Sequence, residues 1–402
     1  MDATTDPFGA KYLSLTLGID RHLPGYVDAY IGPPELRAAV ESGPAPELDE
    51  LWDALRWLQV HVPDADPQRE RFLHATLRSI EGTLRLLQGE EMDYLDEVAL
   101  LFDIHPQPVD EAVFLEAHAL LDRLLPGDGS LAERMKARRD HYELSPDRVL
   151  PALELARQVT RERTAGLVEL APGEDLEIRL TGGHPWSAYN WYRGDGQSLI
   201  EVNTDIPVNA LHVLGTMAHE GYPGHHTEAQ LKERTLWQER GYVEQAVALL
   251  NSPAAVIAEG IATTAEEIIF PGESGHEWVQ EVLLPAARIT PREAAAERAA
   301  IDRATQSLRY TMGNAAILYH TGQFDRDETI DYLMTYALST PERAAKSFDF
   351  LSERLGRSYV FTYTEGYDLL EKASPGDRTG LFKRLLVEQL LPSELAQLGT
   401  KQ

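Results

Sequence analysis

The sequence predicts a mainly α-helical fold with a small antiparallel β-sheet placed before a histidine-rich helix. Three observations lead to that reading. Apolar residues recur at three- and four-residue spacing through Leu51–Val60, Arg71–Leu87, Val113–Leu125 and Val149–Leu170, the period of an amphipathic helix. The strings LEIRLTGG, WSAYNWYR and SLIEVNT that follow instead alternate apolar and polar residues and are rich in β-branched and aromatic types. From Pro207 onward helix periodicity returns, interrupted at Pro223-Gly224, Pro271-Gly272, Pro291, Pro341 and Pro375-Gly376.

Taken in order, Leu23–Leu36 concentrates Pro24, Gly25, Gly32, Pro33 and Pro34 and reads as turn-rich. Ala171-Pro172-Gly173 closes the last N-terminal helix, so the chain divides into an N-terminal helical region, 1–170, and a second region, 171–402, expected to form one continuous unit. Gly182-Gly183 and Gly194-Asp195-Gly196 supply the turns of the sheet. Asn203, Thr204 and Asp205 are candidate caps for the helix after it, and Pro207 suits a first turn.

Composition narrows the chemistry. With 402 residues and a net charge of −28, the chain repels nucleic acid and anionic membranes, and neither is expected as a partner. It contains no cysteine, which excludes disulfides, thiolate metal sites and thiol nucleophiles. Any metal must be held by histidine and carboxylate. The N-terminal MDATTDPFGAKYLSLTLG lacks the basic-then-apolar order of a leader, and no apolar run reaches bilayer length. A cytoplasmic protein is the expectation.

One segment carries the chemistry: Thr216–Leu231, TMAHEGYPGHHTEAQL. Three of the 13 histidines fall within eight positions, beside Glu220. Hydrolytic zinc sites need neutral imidazoles to hold the cation and a carboxylate beside them to take a proton from water. In an HExxH helix the two histidines stand four apart on one face, but here the fourth position after His219 is Pro223. Pro223 cannot complete the helical turn, and Gly224 allows a sharp change of direction, so a break is expected there. His226 shares the face of His219 in an unbroken helix, whereas a break lets either His225 or His226 reach it. Gly215 and Thr216 leave room for a close neighbour.

A tetrahedral site with one open position needs a third ligand. Glu259, in Ala255–Phe270, is the candidate, because Ala255, Ala262 and Thr263 around it permit tight packing against the histidine helix. Glu266 lies two turns on along the same face and is expected to accept a ring N–H from a ligand histidine.

The string His219-Glu220-Gly221-Tyr222-Pro223-Gly224-His225-His226 resembles the HExxPGHH signature of the bacterial family known as domain of unknown function 885. Glu259-Gly260 through Glu266 is similar to its E-G-W-A-x-Y-x-E segment, with Ile261 and Thr264 where the family often has Trp and Tyr. LPGYVDAYIGPPEL and YVFTYTEGYDLL resemble a shorter branch of the family. The resemblance extends to zincin metallopeptidases with a glutamate third ligand, such as thimet oligopeptidase and carboxypeptidase Taq. It implies a zincin-like helical fold with an edge strand beside the active-site helix, for which Leu199–Asn203 is the candidate. It also favours His225 over His226 as second ligand.

The function expected is zinc-dependent hydrolysis of peptide bonds in short peptides. His219, His225 and Glu259 hold one Zn2+, and Glu220 is the general base on a metal-bound water. Zincins of this type often draw oxyanion donors from a C-terminal helix, so Tyr359, Tyr363 and Tyr367 are candidates, with Tyr363 preferred; Arg357 and Tyr359 are candidates for binding substrate. A metal-dependent amidase on a non-peptide substrate and a non-catalytic metal-binding relative are the alternatives. His184, Asn314 and His320 read as structural. GESGH at Gly272–His276 is not a nucleophile elbow, because His276 replaces its last glycine.

Overall fold

A computed structural model of the protein describes residues 6–184 and 186–400. The first five residues, part of the stretch read for a leader, lie outside these. Helix α1 (Pro7–Asp20) starts at Asp6, whose carboxylate accepts from the Phe8 N–H, and it buries Tyr12, Leu13 and Ile19. The turn-rich segment then yields a short strand, β1 (Val27–Tyr30). Asp66 caps α2 (Pro67–Leu87), with Pro67 in the first turn, and Asp93 caps α3 (Tyr94–Phe102). The long helix α4 (Pro146–Leu167) leads into the sheet.

The sheet comprises β2 (Asp175–Thr181), β3 (Ala188–Gly194) and β4 (Gln197–Asn203), in the order β2-β4-β3. The β3–β4 hairpin is antiparallel as expected, while β2 joins β4 in parallel. Leu199–Asn203 is therefore not the edge. It belongs to the central strand, bonded on both sides and buried along Leu199, Ile200 and Val202. The edges are β2 and β3, and the side chains of β3 are half-exposed, with Trp191 at 40%. A near-continuous apolar run marks a strand covered on both faces, and SLIEV has that character where AYNWYR does not.

After the sheet come α5 (Val213–Glu220) and α6 (His225–Lys232). Strand β5 (Val247–Leu249) pairs antiparallel with β1, and α7 (Pro253–Ile269) follows, capped by Ser252. Further on lie α8 (Thr311–His320) and α9 (Thr362–Ala373). Helix α7 is the spine: its Gly260 meets Gly366 of α9 so closely that a Cβ on either would collide with the other's backbone.

The hydrophobic cores draw on both halves of the sequence. One joins Tyr94, Phe102 and Phe114 to Val256, Ile301 and Phe361; a second joins Tyr142 and Leu153 to Ile200, Val213 and Met217; a third joins Tyr12, Leu55 and Leu77 to Val243 and Leu249. No helix among the described residues is long and apolar enough to cross a membrane.

Candidate metal centre

The helix break falls where Pro223-Gly224 predicts it. Helix α5 ends at Glu220 and α6 begins at His225. The Gly224 N–H turns back to donate to the Ala218 carbonyl at 2.9 Å. A Cβ on Gly224 would lie 1.9 Å from the His219 carbonyl oxygen, so the fold-back admits only glycine. It returns the His225 ring to that of His219, edge to face at 4.8 Å between centroids.

Helix α7 completes the cluster. The Glu259 carboxylate lies 3.6 Å from His219 Nε2 through Oε2 and 3.8 Å from His225 Nε2 through Oε1. One ligating atom from each of the three residues lies within 4.8 Å of the others. A tetrahedral zinc holds its ligand atoms about 3.3 Å apart, so small side-chain adjustments close the triad on a cation. Glu259 Oε2 is buried and accepts no hydrogen bond among the described residues. A buried carboxylate oxygen left free and aimed at two imidazole nitrogens fits a divalent cation.

The electrostatics point the same way. Burial lowers the His219 pKa to about 3, with His225 nearby adding to the effect, and burial lowers His225 to about 4. Both rings are therefore neutral ligands at physiological pH. Burial raises Glu259 to about 8, partly offset by its hydrogen bond from Tyr359, and raises Glu220 to about 8, with the Glu259 and Asp28 charges adding. Without a cation, both carboxyls thus tend to hold a proton beside two neutral rings, and a divalent cation would favour their ionised form.

The other expected residues sort cleanly. The alternate ligand His226 faces away: it is fully buried, with Nδ1 2.8 Å from Ser198 Oγ and Nε2 3.0 Å from Glu174 Oε2. The restarted helix changes register at the break, so the face shared by positions seven apart is lost. Glu266 does not reach a ligand histidine. The His219 ring lies against the Ala262 backbone, while the Glu266 carboxylate packs against Gly215 and Gly275, a turn too far along α5. Two turns of α7 span about 10 Å, more than an imidazole covers.

Tyr359 lies against the cluster, its hydroxyl donating to Glu259 Oε1 at 2.6 Å. Tyr363 packs edge-on to Tyr359, with centroids 5.6 Å apart, and remains 39% exposed. Burial first, then the Glu259, Glu220 and Asp28 charges, raise its hydroxyl pKa far above the ordinary value. Arg357 is held by charge rather than by a hydrogen bond: Nε lies 3.2 Å from buried Glu97 Oε1 with no hydrogen-bond partner among the described residues, and the guanidinium sits 5.5 Å from the Tyr94 ring. Tyr367 turns instead to Glu267 at 3.2 Å. Asn314 clamps the Val109 backbone, and His320 bonds the Leu351 carbonyl. His184 stacks on Trp186 at the end of an aromatic row continuing through Tyr189 and Trp191.

Asp28, from β1, escaped sequence reasoning. It accepts from the Tyr189 hydroxyl, burial raises its pKa to about 6, and its charge acts on Glu220, Glu259 and Tyr363. Asn190, on the edge strand, also went unnoticed; its amide donates to the Glu220 carbonyl and ties β3 to the end of α5.

Fold and site together define a mainly helical protein with a small mixed sheet and a His-His-Glu group able to hold a metal. No family model and no curated protein matches the sequence. Among solved structures the chain is similar to a "putative lipoprotein" from Colwellia psychrerythraea, with a TM-score of 0.55 and 13% identity over 92% of this chain and 69% of that one. It is also similar to a "putative lipoprotein of unknown function" from Shewanella oneidensis, with a TM-score of 0.53 and 15% identity over 87% and 71%. A weaker likeness, TM-score 0.41 and 12% identity over 98% of this chain and 95% of that one, is to a Pyrococcus furiosus carboxypeptidase. The first two likenesses establish a shared fold and carry no activity with them.

Proposed function

We propose that the protein is a zinc-dependent metallopeptidase of the kind its HExxPGHH string resembles, hydrolysing peptide bonds of short peptides. The convergence of His219, His225 and Glu259 beside Glu220 carries this reading. Held by those three residues, a zinc ion would polarise the scissile carbonyl and acidify a water molecule. Glu220 takes a proton from the attacking water as the oxygen–carbon bond forms, and gives it to the amine as the carbon–nitrogen bond breaks. Tyr363, part-exposed beside Tyr359, offers its hydroxyl to the developing oxyanion. Tyr359 holds the Glu259 carboxylate in place. The free edge of β3, tied through Asn190 to Glu220, suits an extended peptide. The acidic, cysteine-free composition supports a cytoplasmic setting with neither nucleic acid nor membrane as partner.

The test is metal content of protein purified without chelator or nickel, followed by peptide cleavage. Wild type is expected to carry about one zinc per chain and His219→Ala almost none. Glu220→Gln is expected to keep its zinc and lose about 10²–10⁴-fold in turnover. A wild-type protein that takes up no zinc at neutral pH ends the metallopeptidase reading.

A further inference from the structure

A cavity of about 340 Å³ lies between α7, the turn Ser307–Tyr310 with α8, and α9. That volume is in the range of small-ligand pockets. Tyr363, on its lining, joins it to the metal centre: the ring packs edge-on to Tyr359, whose hydroxyl donates to the Glu259 carboxylate. Met312, Phe350 and Val360 give the cavity apolar walls, and among the described residues that line it Arg309 alone is charged.

Arg309 is held but not saturated. Its Nη2 donates to Asp368 Oδ1 at 2.9 Å and to the Tyr310 hydroxyl at 2.8 Å, and the guanidinium lies over the Tyr367 ring at 4.0 Å. Nε is buried and has no partner among the described residues. Asp368 is shared, accepting from Tyr310 at 2.7 Å and facing Lys372 at 3.7 Å, so it does not spend its whole charge on Arg309. Nη1, by contrast, donates to nothing among the described residues and is not buried, so the result is a planar cation with one open corner on the wall of an otherwise neutral pocket. A carboxylate is the ligand group that such a fork matches.

We propose that this cavity is a specificity pocket for a substrate residue beside the scissile bond, and that Arg309 binds a carboxylate of that residue, either the free C-terminus or an acidic side chain. The proposal rests on the peptidase reading, which supplies the scissile bond. The apolar walls take the body of the residue, and the Gln306 amide, also on the lining, stands as a second donor.

The test uses four N-acetylated pentapeptides of one sequence, ending in Glu or Gln, each as free acid or as C-terminal amide. Zinc-loaded wild type is expected to cleave the forms that carry the recognised carboxylate, either the two free acids or the two Glu peptides, at least about tenfold better in kcat/KM than the Gln amide. Free acid over amide, whatever the last residue, assigns the pocket to the C-terminus. Glu over Gln among the amides assigns it to a side chain. Arg309→Met is expected to bring the ratio below about threefold and Arg309→Lys to keep part of it, with melting curves confirming that both fold. Equal cleavage of all four by wild type, or an undiminished ratio in folded Arg309→Met, overturns the proposal. If wild type cleaves none, the peptidase reading has failed for these substrates, and calorimetric binding to zinc-loaded Glu220→Gln decides the pocket separately. Affinity at least about tenfold higher for the carboxylate forms, lost when Arg309→Met is added, supports it; equal or undetectable binding of all four overturns it.

Discussion

Replacing Gly366 by alanine tests whether the crossing of α7 and α9 sets the geometry of the centre. A Cβ at 366 would lie 2.5 Å from the Val256 carbonyl oxygen, 2.7 Å from the Gly260 nitrogen and 2.9 Å from the Gly260 Cα. All three are backbone atoms, so no side chain can turn aside and the helices must part by about 0.9 Å to restore ordinary contact. Overpacking of this kind costs about 1–3 kcal/mol, while alanine in place of a helical glycine returns about 0.5–1 kcal/mol. The net expectation is a loss of up to about 2.5 kcal/mol, centred near ~1 kcal/mol, read as a lower urea midpoint at unchanged slope. Because α9 carries Tyr363, zinc-dependent turnover is expected to fall further than stability alone explains. Gly166, near the end of α4, is the control: a Cβ there meets nothing within 4 Å, so Gly166→Ala is expected to be neutral or to stabilise by up to about 1 kcal/mol. The two substitutions are chemically identical and differ only in what surrounds them. If Gly366→Ala matches Gly166→Ala in sign and leaves turnover intact, the close crossing does not position the site.

Zinc uptake at pH 7 is expected to release about one proton or more per chain, because the metal-free Glu259 and Glu220 carboxyls, raised to about 8 by burial, are mostly protonated there while the histidines are already neutral. The carboxyl share of the release should fall above pH 9, leaving the proton lost by an acidified zinc-bound water, and calorimetry in buffers of different ionisation enthalpy measures it; no release at pH 7 contradicts the assignment. Tyr359→Phe removes the hydroxyl that holds Glu259 and is expected to weaken zinc binding about tenfold, read by competition with a chromophoric chelator. Burial alone would raise the Glu174 carboxyl, but hydrogen bonds from His226 and Tyr222, with Arg161 nearby, hold it below its ordinary value. A depressed carboxyl pKa contributes stability above the unfolded value, about 4.3, and loses it as pH falls toward the folded value. Glu174→Gln is therefore expected to cost about 1–3 kcal/mol at pH 7, with the gap from wild type narrowing below about pH 4, as urea titrations across pH would show.

Local chemistry was readable before the structure, and distance along the chain limited the rest. The helical periodicity, the turn glycines and the Pro-Gly break are properties of a few adjacent residues, and each appears where short-range rules place it. The choice between His225 and His226 depends on the angle at which α6 restarts, set by the Gly224 fold-back onto Ala218, and no spacing rule contains that angle. Glu266 shows a complementary limit: sharing a face with Glu259 places it toward α5, but not at which turn of α5 it lands. The edge strand was closer to hand, since the denser apolar run in β4 than in β3 distinguishes a central strand from an outer one.

Asp28 marks where local reading ends. It belongs to a turn-rich stretch without periodicity, and nothing beside it signals chemistry. It reaches the centre because β1 pairs with β5, more than two hundred residues later, while Tyr189 on β3 meets its carboxylate from the other side. A third carboxylate beside Glu220 and Glu259 raises both and deepens the negative field before any metal binds. Asp28→Asn should thus lower the Glu220 pKa in metal-free protein and move its titration toward the ordinary carboxylate range, measurable by NMR of labelled glutamate. An unmoved titration would mean that burial and Glu259 alone hold that proton, and that Asp28 serves the strand pairing rather than the centre.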